Sequence, residues 1–252
     1  MTAVRGALAR PRQVGTKSAA STPRQARTMT TTRTAPNLVG MRLAHRMIVT
    51  DLLRLTQVAR GISERSVACS DRRAFAIGDW VRSLCVEIRH HHLVEDGTAW
   101  PLVDRFAGAY VDLGVLSADH RAMDPMLERL RVAVAALEEA PPAERGVVGR
   151  ALTAALTTLR DHVVEHVEAE EAEVFPAVER HVPAAEWARV EKAAGRGGAG
   201  LAFMLPRFLA VAVDDEHRTV FGPAGRAERA LMAVLAWVLV PLHRRRERLV
   251  FG

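Results

Sequence analysis

From Leu38 onward, apolar residues recur at the three-and-four spacing of helices. Leu38, Met41, Leu43, Ile48, Val49, Leu52, Leu53 and Leu55 make the apolar face of a first helix, which Asn37 can cap and which is expected to end near Gly61. A polar run through Ser70 and Asp71 opens a second helix, from Arg72 to about Asp96, with Phe75, Ile77, Trp80, Val81, Leu84, Cys85, Ile88 and Leu93 at its buried positions. Gly97 and Pro101 are expected to close it, because proline disfavours helix in the residue before it. Residues 106–115, with Gly108 and Gly114, read as a connector or weak helix. A third helix carries Met126, Leu127, Leu130, Val132, Val134 and Leu137 and ends before Pro141 and Pro142, with a kink or restart expected near Asp124 where Pro125 interrupts it. A fourth runs from about Ala143 to Val174.

Beyond Pro183 the pattern changes. Residues 184–194 read as a short helix, Gly195 to Gly200 as a flexible joint, and Leu201 to Val213 as a strongly apolar segment. Asp214, Asp215, Glu216 and His217 are expected to form a solvated loop rather than a metal cluster. A last helix follows, from Ala224 to about Leu242 with an apolar run over residues 230–242, and then a basic end, Arg244 to Arg248, that suits a helix C-terminus. Docking within the chain is the ordinary fate of such a helix, with burial in a homodimer or contact with a membrane surface as the alternatives. The expected architecture is therefore all-α. A four-helix up-down bundle spans residues 37–182, a C-terminal helical appendage 183–252, and a disordered basic tail 1–36.

Charge removes one class of function. The chain of 252 residues carries a formal net charge of +6, but residues 1–36 hold seven basic residues and no acidic one, so the remainder sums to −1. A nucleic-acid-binding domain needs its basic residues on a folded face, and no specific nucleic-acid partner is expected. Cys69 and Cys85 have neither zinc-ligand nor disulfide-framework spacing. No apolar run reaches the roughly 18 residues of a membrane span, and the N-terminus lacks a secretory apolar region, so a cytoplasmic protein is expected.

The informative chemistry lies in a repeat. Residues 91–101, HHLVEDGTAWP, and residues 166–176, HVEAEEAEVFP, share the pattern His-x3-Glu-acid-x3-aromatic-Pro. On a helix, residues four apart share a face, so His91 projects beside Glu95 and His166 beside Glu170. Each motif also has a lone histidine 46 residues before it, His45 and His120. Two such helical hairpins bring four histidines and two carboxylates into one interior, a donor set suited to two transition-metal ions. Imidazole and carboxylate without thiolate favour iron, with manganese possible, over structural zinc. Glu95 and Glu170 are the expected bridges between ions about 3.5–4 Å apart.

Five further positions stay open or are set aside. Of His90, His91 and His92, which point about 100 degrees apart, His91 is the expected ligand and its neighbours are read as polar flanks. Asp124, four residues after His120, suits either a further ligand or helix capping beside Pro125. His162, four before His166, is either an additional ligand or a residue that orients one. Asp96 is expected to face elsewhere.

These residues resemble the hemerythrin-like, or HHE cation-binding, family of non-heme di-iron four-helix bundles, over about Leu38 to His181. The resemblance implies metal ligation by His45, by His91 with Glu95, by His120, and by His166 with Glu170. Oxygen-carrying members have His-x3-His on the third helix, whereas this chain has Asp124 at the second place, with His162 as a residue that can compensate. What the resemblance and the donor chemistry together imply is a protein holding two non-heme iron ions and binding oxygen, nitric oxide or peroxide, for sensing, storage or detoxification. A His-rich shell disfavours high oxidation states, so a binder is expected rather than an oxidase. The alternatives are a di-iron enzyme that decomposes hydrogen peroxide, and a helical regulatory module whose metal site is vestigial.

Overall fold

The computed structural model describes residues 35–221 and 225–252, and among these every regular element is helical. The expected tail over residues 1–36 lies, but for its last two residues, outside them. Helix α1 (Val39–Ser63) begins where the Asn37 carboxamide accepts a hydrogen bond from the Val39 amide at 3.0 Å. Helix α2 (Asp71–Val94) is capped by Ser70, whose hydroxyl accepts from Arg73. At Glu95 the backbone does not stop as expected. It widens into one π-helical turn, Glu95–Ala99, and continues as α3 (Trp100–Ala107). The Trp100 amide reaches back five residues to the Glu95 carbonyl, and this widening lets the chain pass through Pro101 without ending the helix.

Helix α4 (Leu113–Glu139) continues through Pro125 without a restart, and α5 (Arg145–His181) runs past Pro176, seven residues beyond its expected end. Helices α1 and α4 both lie along α5, and α2 packs on α4 and more lightly on α1. Their apolar faces form two separate clusters. The larger includes Leu52, Leu55, Trp80, Leu84, Leu130, Leu156 and Leu159. The smaller gathers Leu38, Trp100, Val103, Leu116, Phe175 and Val178 at one end. Between the two lie the motif residues.

The C-terminal segment is docked on this core. Helices α6 (Ala184–Ala194) and α7 (Leu201–Val211) are joined by a loop in which Gly197, Gly198 and Gly200 all have positive φ, a conformation that a Cβ makes unfavourable. The expected loop at residues 214–217 is instead the start of a short helix, α8 (Asp214–Phe221). Its acidic residues occupy the positive end of the helix dipole, and Glu216 is held by Arg46 at 2.7 and 2.9 Å. Helix α9 (Arg226–Phe251) runs well past Leu242, and Val250 near its C-terminus enters the larger cluster. The N-terminal half keeps an exposed apolar face, with Trp237 79% exposed between Leu231, Val234 and Leu242. No helix among the described residues is long and apolar enough to cross a membrane.

One polar device ties this segment to the rest. Arg207 of α7 enters the core with its guanidinium 2.8 Å from the Asp51 carboxylate of α1, and the Trp80 indole of α2 donates to the same carboxylate at 2.7 Å. Burial pushes the Asp51 carboxyl up and the Arg207 guanidinium down, the signature of a pair held out of water.

Candidate metal centre

Each motif helix presents its His and Glu on one face because the residues are four apart. The lone histidines meet them from α1 and α4. The residue one turn toward the larger apolar cluster is buried in every case: Ile48 beside His45, Ile88 beside His91, Met123 beside His120 and Val163 beside His166. This apolar layer excludes water from beneath the donors.

The side chains converge as two donor groups. One comprises His45, His91, Glu95 and Glu170, the other His92, His120, His166 and Glu95, and within each group the donor atoms all lie within 4.8 Å of one another. Two donors on opposite sides of an ion at about 2.1 Å would be about 4.2 Å apart, so the spacing suits a metal. Glu95 belongs to both groups. The His91 Nε2 is 2.9 Å from Glu95 Oε1 and the His120 Nε2 is 3.5 Å from Glu95 Oε2, one carboxylate oxygen on each side. Glu170 Oε2 lies 3.4 Å from the His45 Nε2 and 3.8 Å from the His166 Nε2, so it too faces both groups.

The hydrogen bonding identifies what this arrangement lacks. All four oxygens of Glu95 and Glu170, and the Nε2 atoms of His45 and His91, are buried and make no well-directed hydrogen bond. Orphaned polar atoms cost about 1–3 kcal/mol each when buried. Six of them gathered in the two donor groups, with His120 and His166 facing each other across 3.1 Å, is the arrangement that cations satisfy. The residues present therefore fit a metal, and the donor set of imidazole and carboxylate suits iron.

The electrostatics of the two ends differ. Burial and the neighbouring His120 push the His92 imidazole down to about 2 and that of His166 down to about 4, so both stand as neutral, ligand-ready rings. At the other end burial works against a charged His45, yet Glu170, with Glu171 and Glu95, lifts its pKa well above the ordinary value. Glu95 is likewise opposed by burial but held well below the usual carboxylate range, chiefly by His91 and His45. Burial and the adjacent Glu95 push Glu170 up. Without a metal, His45 supplies part of the positive charge that two buried carboxylates need.

The doubled acid in each motif has a second use. Glu171, next to Glu170, lies 2.9 Å from the Nδ1 of His45, and Arg42 holds its other oxygen at 2.9 Å. Asp96, next to Glu95, lies 3.1 Å from the Nδ1 of His120 and accepts from Ser117 at 2.9 Å. The second acid of each motif thus sits behind the lone histidine of the other half and turns its Nε2 toward the centre, the usual way of fixing a ligand's orientation. The expectation that Asp96 faces elsewhere is corrected, and the acid doublet in both motifs was the available signal.

The six residues singled out in the sequence, His45, His91, Glu95, His120, His166 and Glu170, are all brought together. His92 joins them, although it was read as a flank. The turn of helix that leads into the widened backbone at Glu95 aims two successive rings at opposite sides of one carboxylate, and the His92 ring stacks on His120 with centroids 4.1 Å apart. His90 does flank the site, its Nε2 3.2 Å from the carbonyl of Ala194. Asp124 does not join: its side chain is 70% exposed and 3.8 Å from Arg89. His162 is in neither donor group, and its Nε2 lies 3.4 Å from the Asp119 carbonyl while the Asp119 carboxylate is 3.6 Å from the His166 Nδ1.

This geometry separates three neighbours by their effect on metal. His92→Ala is expected to lower the metal content of the purified protein at least twofold, while His90→Ala and Asp124→Ala leave it at the parent value. Elemental analysis per chain checks all three.

No curated protein and no solved structure matches the chain. A family model does: the hemerythrin HHE cation binding domain matches residues 38–178, a span that begins just before α1, ends within α5 and contains every residue of both donor groups. With more than half of its length so matched, the chain belongs to the hemerythrin HHE cation-binding domain family.

Proposed function

We propose that the chain is a non-heme di-iron protein that binds oxygen, nitric oxide or peroxide within an up-down bundle of α1, α2, α4 and α5. The observation that carries this is the sharing of Glu95 between two buried donor groups that together contain five histidines and two glutamates. The bundle reading is supported by the apolar layer beneath the centre. Each lone histidine has its buried neighbour three residues later and each motif histidine three residues earlier, as helices running in opposite directions require.

His92, His120 and His166 with Glu95 would hold one iron, and His45, His91 and Glu170 with the same Glu95 the other. Iron ions in this site would supply reversible binding of a small electron-accepting ligand. Asp96 and Glu171 keep His120 and His45 oriented, and the layer of Ile48, Ile88, Met123 and Val163 keeps water out. Five neutral donors against two carboxylates favour lower oxidation states than a carboxylate-rich site would. A cytoplasmic setting suits the free thiols of Cys69 and Cys85.

The test is metal content together with an ultraviolet-visible spectrum, taken under nitrogen and then after oxygen, nitric oxide or peroxide. Two irons per chain and a spectrum that changes reversibly with one of the three are expected. Protein prepared with ample iron that retains well under one ion per chain would sink the reading.

A further inference from the structure

A diatomic ligand needs little room, since one water molecule takes about 30 Å³ of the liquid. Yet the His91 and Glu95 end of the centre opens into a cavity of about 820 Å³. That falls within the roughly 300–1,000 Å³ of pockets that take small organic ligands. The cavity lies between the motif helices and the C-terminal segment, with walls from α1, α2, α6, α7, α8 and the start of α9.

The walls specify the class of occupant. Met41, Met204, Leu205, Phe208 and Met232 give an apolar lining, and three methionines make it adaptable, because an unbranched thioether repacks around different shapes. The polar groups of α2 on that side are already engaged. Glu87 accepts the Ala199 amide at 3.1 Å, and His90 reaches the Ala194 carbonyl. The loop that closes over them is shaped for the contact, since a Cβ on Gly198 would stand 2.6 Å from the Glu87 carboxylate and its φ is +67°. Among the charged side chains of the lining, Glu87, Glu95, Glu191 and Glu228 outnumber Lys192, which disfavours an anion. What remains unmatched on the floor is His91 and Glu95.

We infer that this cavity is a binding site for an uncharged, apolar organic molecule that docks against the His91 and Glu95 end of the metal centre. The inference rests on the metal-centre reading for what the molecule meets there, but the pocket itself requires no metal. The C-terminal segment thereby acquires a role: α6, α7 and the glycine loop wall a ligand site onto that end of the centre.

The experiment titrates the uncharged fluorophore N-phenyl-1-naphthylamine into iron-loaded and into metal-free protein. Saturable binding of one molecule per chain is expected in both forms. Met204→Trp and, separately, Met232→Trp fill the cavity from different walls and are expected to weaken binding at least tenfold, with helicity and metal content at the parent values. Probe binding is also expected to shift the visible absorption of iron-loaded protein and the His91 ring signals in nuclear magnetic resonance of metal-free protein. Absence of saturable binding overturns the inference, as does binding that survives both filling variants, or binding that leaves the His91 signals unmoved. Metal content, measured on the same samples, separates these outcomes from failure of the di-iron reading: protein that holds no iron but binds the probe keeps the pocket and loses the metal.

Discussion

Glu95→Ala is expected to empty both halves of the metal centre at once. Its carboxylate is the one protein group common to the two donor sets, and it is 1% exposed, so no surface side chain takes its place. Substitution of a mere orienting partner costs about 10–100-fold in metal affinity, and loss of a shared ligand is expected to cost at least the upper figure. The fold should survive. Without Glu95, Glu170 and Glu171 still face His45, and the apolar clusters on either side are untouched. Elemental analysis should therefore find less than about a tenth of the parent's metal, while the far-ultraviolet circular dichroism stays helical. Glu171→Ala, one residue beyond the other motif glutamate, should give the smaller loss, because it removes the group behind His45 and no donor. Equal losses from the two variants would mean that Glu95 is not shared.

Arg207→Met is expected to be the most destabilising change in the C-terminal segment. The guanidinium and the Asp51 carboxylate are 4% and 5% exposed, and removal of one partner leaves the other charge buried. Breaking such a pair typically costs about 3–5 kcal/mol, which for a chain of this length lowers the melting temperature by on the order of 10 °C. The pH dependence identifies the cause. Burial already raises the Asp51 carboxyl above its ordinary value and Arg207 opposes that rise, so the variant's folded-state pKa climbs further. A carboxyl with a raised folded pKa contributes most below its unfolded pKa, near 3.9, and loses that contribution as pH rises through the folded value. The penalty should therefore be larger at pH 8 than at pH 5, measured by denaturant unfolding. A penalty that does not change with pH would assign the loss to packing on Phe203, whose ring lies 4.2 Å from the guanidinium carbon. Asp51→Asn in the same background should recover part of the stability, since the amide oxygen can still accept from Trp80.

The helices and the donor pairs were legible for a local reason. The i, i+4 relation of His91 with Glu95 and of His166 with Glu170 is fixed by helix geometry alone, and duplication of the motif, with His45 and His120 each 46 residues upstream, joins the pairs into one centre. Their aromatic-proline endings proved less informative. Pro101 and Pro176 read as stops, yet one follows a π turn and the other sits inside a continuous helix, because packing on Trp100 and Phe175 outweighs the lost backbone bond. That both His91 and His92 enter the site, one in each donor group, is not reported by any periodicity.

The sequence by itself determined the helical content, the spacing of the motif residues and the neutrality of the chain beyond residue 36, since each follows from residue order and count. Only the tertiary structure decided that His92 enters the site while Asp124 stays in solvent, that Asp96 and Glu171 stand behind histidines of the opposite half, and that Arg207 clamps the C-terminal segment. It also decided that this segment walls a cavity onto His91 and Glu95. Each of these depends on where one helix meets another, and groups more than a hundred residues apart, such as the Glu87 carboxylate and the Ala199 amide or Asp51 and Arg207, leave no mark of their pairing in the local pattern.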